Sequence, residues 1–282
     1  MVDDKYGRGE ERRPRSASTD AQRRSSRRER DASRPTGGRA HSVPPKAKLA
    51  GADRPERSAG GATQGPAIPP DVDAKQLAPE IRRELSTLDR ATADTVARHL
   101  VAAGGMIDED PQAALSHARA ARAQASRIAV VREAVGIAAY QCGDWAQALA
   151  ELRAARRMGS KSVLLALIAD CERGLGRPQR AIELARAPEA AQLSGDDADE
   201  LRIVAAGARS DLGHLEQALT VLSTPPLEPG RSGSTAARLY YAYAATLLAL
   251  DRSDEAREWF LRSAAADVDG VTDAEDRVSE LG

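Results

Sequence analysis

The sequence predicts an all-α fold, an α-solenoid of about five helix-turn-helix repeats with capping helices, preceded by a disordered tail. Three observations predict it. Ala, Arg, Leu and Glu dominate the 282 residues, and aromatic residues make up only 3%, a composition that favours helices. From Asp71 onward, apolar residues recur at helical spacing. In the same region, a turn followed by an alanine recurs every 33 to 38 residues, which indicates stacked supersecondary units.

The formal net charge of −1 is divided unevenly along the chain. Residues 1–70 contain 16 Lys and Arg and 9 Asp and Glu, a net charge of +7, whereas residues 71–282 carry −8. Such asymmetry indicates a basic tail on an acidic body. We therefore predict four segments: the tail (1–70), a capping helix (71–92), the repeat array (93–268) and a C-terminal capping segment (269–282).

The tail has a composition that does not support a packed core. It contains eight prolines, eight glycines and seven serines, with Val2, Val43, Leu49 and Ile68 as its only large aliphatic residues. Little apolar surface is available to offset a backbone ordering cost of about 1–2 kcal/mol per residue. We predict that residues 1–70 are disordered.

The basic residues of the tail are concentrated in arginine clusters. Guanidinium groups match phosphate oxygens, and the release of counterions favours binding to a polyanion, so the clusters predict contact with RNA or a ribosome. Arg outnumbers Lys 36 to 5 over the whole chain, so a tail that only increases solubility is the alternative. The candidate nucleic-acid residues are Arg12, Arg13, Arg15, Arg23, Arg24, Arg27, Arg28 and Arg30.

Two helices are predicted outside the repeats. Leu77, Ile81, Leu85 and Leu88 are spaced by three and four residues and predict an amphipathic helix over 76–88 that caps the array. At the other end, the sequence from Thr272 to Glu275 resembles a capping box and predicts a polar helix over 272–281. A loop rich in Pro and Gly is expected over 223–234.

The repeated unit consists of a turn containing Gly or Asp and a second helix that begins with a small residue. A glycine or aspartate suits a tight reversal of the chain, and the alanine lets the two helices approach closely. Later positions of the second helix carry the packing residues Leu152, Ala155, Leu222 and Phe260. The small residues are Ala114, Ala148, Ala181, Ala218 and Ala256.

At these residues the sequence resembles the tetratricopeptide repeat family. Residues 129–161 resemble it best, through Val135-Gly136, Gly143-Asp144-Trp145, Ala148, Leu152 and Ala155, and the fifth copy follows with Tyr240, Tyr243, Ala244, Ala256 and Phe260. Arg98, Arg132 and Arg202 replace the early Trp of the family, and the closing Pro is missing.

The resemblance implies a concave groove lined by the first helix of each repeat. The Lys and Asn pattern with which some members bind a peptide carboxylate is absent. The acidic and Tyr residues instead suit a basic or amphipathic peptide or helix, and the alternative is that they are merely solvated side chains on a helix face. The groove residues implied are His99, Met106, Glu133, Ile137, Tyr140, Asp170, Arg173, Glu200, Asp211, Arg238 and Tyr241.

No arrangement of residues predicts catalysis, a cofactor or a metal site. The four histidines do not stand at metal-ligand spacing, and neither a phosphate-binding glycine loop nor a nucleophile elbow occurs. Gly104-Gly105 is interpreted as a helix end. Cys142 and Cys171 are interpreted as packed thiols in a reducing compartment.

These observations predict a non-enzymatic, cytoplasmic protein-interaction scaffold without a membrane-spanning or secretory segment. The leading alternative is an RNA- or ribosome-associated accessory protein attached through the tail. A regulator that binds an enzyme through Tyr240, Tyr241 and Tyr243 is the third possibility. The +7 and −8 parts also suggest that the tail docks on the groove of its own chain, since about 70 disordered residues reach on the order of 45 Å.

Overall fold

A computed structural model describes residues 65–160 and 163–282, and within these residues the secondary structure is helical, without a β-strand. The arginine clusters and nearly all of the predicted disordered tail lie outside the described residues. Three short 3-10 helices accompany twelve α-helices. The α-helices are α1 (Pro79–Glu84), α2 (Arg90–Met106), α3 (Pro111–Ala125), α4 (Ala129–Gln141), α5 (Trp145–Arg157), α6 (Leu165–Gly174), α7 (Pro178–Ala185), α8 (Gly195–Asp211), α9 (Leu215–Leu222), α10 (Ser234–Ala249), α11 (Ser253–Ala266) and α12 (Ala274–Leu281).

The helices pack in pairs that follow the chain. The pairs are α2 with α3, α4 with α5, α6 with α7, α8 with α9 and α10 with α11, and each second helix also contacts the next first helix. First helices of neighbouring pairs touch as well, α2 with α4, α6 with α8 and α8 with α10. This succession is compatible with an α-solenoid. No helix formed by the described residues combines the length and apolar character needed to cross a bilayer.

Four of the pairs are joined by the same three-residue turn. In each turn the middle residue has a φ between 61° and 76°, a conformation that glycine adopts without steric cost. The residue after it donates its backbone N–H to a carbonyl five residues earlier, as Asp144 does to Ala139 at 2.9 Å, which is the Schellman pattern of a helix end. The middle residues are Gly143, Gly176, Gly213 and Asp251.

The small residues that define the sequence period are the points of closest helix packing. All five alanines (114, 148, 181, 218 and 256) are 0% exposed, so the prediction for these positions is confirmed. In the second pair, α4 and α5 approach so closely that a Cβ on Gly136 would lie 2.7 Å from the Leu152 side chain. Leu152, Ala155, Leu222 and Phe260 are buried as predicted.

The predicted capping helix over 76–88 is not continuous. A 3-10 turn spans Ala74–Gln76, α1 begins only at Pro79, and another 3-10 turn follows at Leu85–Thr87. Ala78 precedes a proline, which disfavours helical backbone, and its ψ is 141°. The four apolar side chains nevertheless pack on α2 together with Val96 and Leu100, so the segment covers the first pair as expected.

Two other helix ends differ from the predictions. The capping box at Thr272 is wrong, because α12 begins after Asp273, and Thr272 bonds through its backbone N–H and hydroxyl to the carboxylate of Asp267, each at 2.7 Å. Gly104 and Gly105 do not end a helix either, because α2 continues to Met106. The loop predicted over 223–234 is confirmed, with α9 ending at Leu222 and α10 beginning at Ser234.

The last residues of the predicted tail lie on the first helix pair. A Cβ on Gly65 would be 2.9 Å from the Cβ of Ala120 and 3.8 Å from Cε1 of His99, and Ile68 is half-buried. The boundary at residue 70 therefore falls too late. The half-buried Ile68 contributes apolar surface to this contact.

Candidate functional site

The candidate site is the face of the first helices on which the resemblance placed a groove. Three of its residues form one hydrogen-bonded chain between α4 and α6. The Tyr140 hydroxyl donates to Oδ2 of Asp170 at 2.5 Å, and Nη1 of Arg173 donates to Oδ1 of the same carboxylate at 2.7 Å. Burial and then the charge of Asp170 raise the pKa of Tyr140, so the phenol stays protonated and remains a donor.

Arg173 extends this chain to α8. Its Nε and Nη2 donate to the Asp211 carboxylate at 2.8 and 3.3 Å, a two-point contact that fixes the guanidinium plane. The guanidinium lies over Gly207, where a Cβ would be 2.8 Å from Cζ of Arg173. Burial alone would lower the pKa of Arg173, but its bonds to Asp211 and Asp170 raise it.

A second contact continues the face from α8 to α10, where Arg238 donates to Glu200. On α4, Glu133 accepts a hydrogen bond from the hydroxyl of Ser160 at 2.8 Å. Predicted groove residues from four successive first helices are thus joined across helix boundaries. We call six of them the charged row: Tyr140, Asp170, Arg173, Asp211, Glu200 and Arg238.

The charged row is paired internally yet reaches solvent at its ends. The side chain of Asp211 is 40% exposed and that of Arg238 is 44% exposed, whereas Asp170 is 20% exposed. With Glu133 included, four carboxylates face two guanidinium groups, a net charge of −2. A cationic group that approaches Asp211 or Glu200 would therefore meet a partly solvated carboxylate in an acidic surrounding.

Two of the predicted groove residues do not present a surface to a partner. His99 is only 5% exposed, and its Nδ1 lies 2.9 Å from Nδ1 of His117, so one ring donates to the other. Tyr241 is 8% exposed and its ring packs edge-on against Phe260. For these two residues the expectation of an exposed groove position is wrong, because their helices bury that position against α3, α11 and α12. Ile137 remains half-buried.

The cluster of tyrosines on α10 is part of the core. Tyr240 is 1% exposed, its hydroxyl donates to the backbone carbonyl of Glu228, and its ring packs against Trp259. Tyr243 packs edge-on against the same Trp259. The sequence raised a third possibility, a partner bound through Tyr240, Tyr241 and Tyr243. Two of these three rings, Tyr240 and Tyr241, are buried and do not form an exposed binding surface.

Sequence reasoning missed a set of buried carboxylates that join consecutive helices. Glu151 of α5 accepts from Arg122 of α3 and, at 2.9 Å, from Arg132 of α4. Glu172 of α6 is 2% exposed and accepts from Arg153 of α5 at 2.6 Å. One signal was present: Arg132 stands where the resemblance expects Trp, and an arginine there needs a buried acid.

The cysteines and the acidic residues are the remaining side chains that could react or bind a metal ion. Both Cys142 and Cys171 are free thiols, and burial raises the pKa of Cys171 to about 12, so its thiolate is not populated at neutral pH. Within residues 65–160 and 163–282, His, Cys, Asp and Glu form no group of three that could hold a metal ion.

Comparison with known proteins gives no further guidance. No protein-family model matches this chain, and a search of curated proteins finds no match.

Proposed function

We propose that this protein is a non-enzymatic interaction scaffold, an array of five tetratricopeptide-like helix pairs that binds a basic or amphipathic peptide or helix of a protein partner along its first helices. The observation that carries the proposal is the charged row. It joins side chains of α4, α6, α8 and α10 into one face, held in fixed positions by bonds between helices.

The charged row favours a cationic ligand for an electrostatic reason. Its acidic groups outnumber its basic groups, and Asp211 and Glu200 bond to arginines that are themselves partly solvated. A lysine or arginine of a partner can share or replace those contacts at low cost, since exposed ion pairs contribute only about 0–1 kcal/mol. The fixed position of the carboxylates limits the entropy lost on binding.

Site-specific photocrosslinking tests the proposal. A photoreactive amino acid in place of Ile137 on α4 is expected to capture a discrete partner in cells. The matched control carries the same amino acid in place of the exposed Gln124 on α3, a second helix. Equal capture at both positions, or none at Ile137, would contradict a groove on the first helices.

Charge-neutralising variants then test the ligand class. Combining Asp211→Asn with Glu200→Gln is expected to weaken binding of a captured partner by roughly 30-fold, because each of the two lost charge contacts contributes on the order of 1 kcal/mol. The control combines Glu216→Gln and Asp254→Asn, which neutralise exposed carboxylates on second helices. A partner that binds all three proteins equally would show that charge does not select it.

A second candidate function, attachment to RNA or a ribosome, is favoured by the arginine clusters at positions 12–15 and 23–30. Binding of RNA that weakens steeply with salt and disappears when residues 1–64 are deleted would support it. A protein partner that tolerates salt and survives the deletion supports the scaffold instead.

The tail of the same chain is a further candidate occupant of the face. Hydrogen exchange of α4, α6 and α8 would be compared between the full chain and residues 65–282. Slower exchange in the full chain supports docking of the tail, and identical exchange contradicts it.

A further inference from the structure

The repeat places an ion pair between α5 and α6 at two positions that recur in the next junction. Arg153 lies five residues after the buried Ala148, and its Nη2 donates to Oε1 of Glu172 at 2.6 Å. Glu172 is the third residue from the end of α6. This bond joins the second helix of one pair to the first helix of the next.

In the junction between α7 and α8 both positions hold arginine. Arg186 lies five residues after the buried Ala181, and Arg209 is the third residue from the end of α8. The carboxylate of the first junction is therefore replaced by a second guanidinium. Two like charges therefore stand at the positions that hold an ion pair in the preceding junction.

Arg209 is buried without a counter-charge. Its residue is only 7% exposed, and the one hydrogen bond that its side chain makes to the described residues runs from Nη1 to the carbonyl of Ala205 in its own helix at 2.7 Å. Burial, followed by the positive charge of Arg186, lowers the pKa of the Arg209 guanidinium. A buried cation in this setting is costly unless an anion reaches it.

The carboxylates closest in sequence to Arg186 are already engaged. Glu183 accepts from Arg180 at 2.7 Å, and Glu189 accepts from Arg156 at 3.0 Å. Among the described residues no carboxylate forms an ion pair with either Arg186 or Arg209. An anion that pairs with these two arginines would therefore come from outside those residues.

We propose that Arg186 and Arg209 form a binding site for an oxyanion of the phosphate class at the junction of α7 and α8. The remaining N–H groups of Arg209 supply donors inside the junction. Arg186, which is exposed, supplies donors at the solvent side of the junction. Guanidinium groups bind phosphate oxygens through paired N–H donors. The oxyanion supplies the negative charge that Glu172 supplies in the preceding junction.

Thermal unfolding of the full-length protein in sodium phosphate and in sodium chloride, at equal ionic strength and pH, tests the site. The informative variant is Arg186→Glu, which restores an acid opposite Arg209. The matched control is Arg157→Glu, the same charge change at an exposed position on α5. Because the tail arginines can also bind phosphate, the difference between these two variants carries the result.

Phosphate is expected to raise the Tm of the wild-type protein and of Arg157→Glu by about 2–4 °C, the shift that corresponds to about 1 kcal/mol in a chain of this size. Arg186→Glu is expected to have a higher Tm in chloride and a smaller shift in phosphate than Arg157→Glu. An equal phosphate shift in Arg186→Glu and Arg157→Glu, or no shift in the wild type, overturns the site.

A free anion and a phosphate carried by a peptide are then distinguished with labelled Gly-Gly-Ser-Gly-Gly peptides, with and without phosphate on the serine. Binding of the phosphopeptide that is lost in Arg186→Glu shows that the site admits a tethered phosphate. Binding of inorganic phosphate alone shows a site for the free ion. Both results support the proposal, and a phosphopeptide that binds Arg157→Glu no better than Arg186→Glu counts against the tethered source.

Discussion

The α5–α6 junction and the α7–α8 junction are built from equivalent positions but pair their charged side chains in different ways. Glu172 is 2% exposed and accepts bonds from Arg153 and Arg177. Arg209 is 7% exposed and donates to the backbone of its own helix, beside a second arginine. The backbone is nevertheless similar, with α6 and α8 both ending in the same three-residue turn at Gly176 and Gly213.

This difference teaches that the backbone of the array does not depend on any one charge arrangement. Buried alanines and turns set the distance between helices, and the charged positions between them are then filled in several ways. Where two residues of the chain form an ion pair, the junction needs no external ion to balance its charge. A like-charged pair leaves a junction that an external anion can complete.

Exchanging the charges gives the largest expected effect. Glu172→Arg would place a third guanidinium beside Arg153 and Arg177 in a buried position, and the free energy of unfolding is expected to fall by about 3 kcal/mol. Urea unfolding followed by circular dichroism measures this loss of free energy.

The reciprocal change, Arg209→Glu, is expected to raise the free energy of unfolding by about 1 kcal/mol, since the new carboxylate pairs with Arg186. Equal losses in both variants would show that the junctions are not equivalent.

The α5–α6 junction also contains a closely packed aromatic ring. A Cβ on Gly174 would lie 2.5 Å from Cδ2 of Trp145, so Gly174→Ala is expected to lower the free energy of unfolding by about 1–2 kcal/mol even though alanine favours helix. Gly104→Ala in α2 is the control, because a Cβ at this glycine would have no described atom within 4 Å. A loss of stability in the control equal to that in Gly174→Ala would contradict this account.

In the first helix pair, α2 with α3, the buried polar side chains are two histidines that stay neutral at neutral pH. Burial lowers the pKa of His99 and, separately, of His117, so the unfolded chain binds protons that the folded chain does not. Stability is then fully present above the unfolded pKa of about 6.5 and falls as the pH drops below it through the lowered folded values.

Urea midpoints at pH 7.5 and 5.5 test this linkage. The double variant His99→Leu with His117→Leu is expected to remove most of the difference between the two midpoints. His214→Gln, at an exposed turn, is expected to leave the difference unchanged. An unchanged difference in the double variant would assign the pH dependence to other groups.

The turns give the smallest expected effect. Asp251 has a φ of 61° at the position where Gly213 has 76°. Replacing Asp251 with Gly removes the strain of this backbone conformation and is expected to raise the free energy of unfolding by about 0.5–1 kcal/mol. Calorimetry measures the change, and a lower Tm would show that Asp251 makes a compensating interaction.

The sequence predicted the features that depend on local chemistry. The period of the alanines, the turn positions and the loop over 223–234 were read correctly, because small residues and turn residues act on the backbone of their own segment. The break at Pro79 shows the limit of apolar periodicity, since Leu77 and Ile81 keep helical spacing across a residue that interrupts the helix.

The candidate face was predictable only in part, because pairing between helices is a property of three dimensions. Periodicity placed Asp170, Arg173 and Asp211 on first helices, but it did not show that one arginine binds both carboxylates. His99 and Tyr241 had the right position in the repeat and were buried by neighbours that the repeat pattern does not specify. Nothing in the sequence indicated that Arg209 is buried, because its burial depends on the packing of helices in three dimensions.

The constant length of the turns has a practical consequence for building on this chain. Four pairs are closed by three residues, whereas the links between successive pairs span residues 126–128, 158–164, 186–194 and 223–233 and lengthen toward the C-terminus. The helix pairs are thus modules of constant turn length, and the links between them are spacers of variable length. A reporter peptide inserted in the longest spacer is expected to be tolerated better than the same insertion at Gly213, which would separate the two helices of one pair.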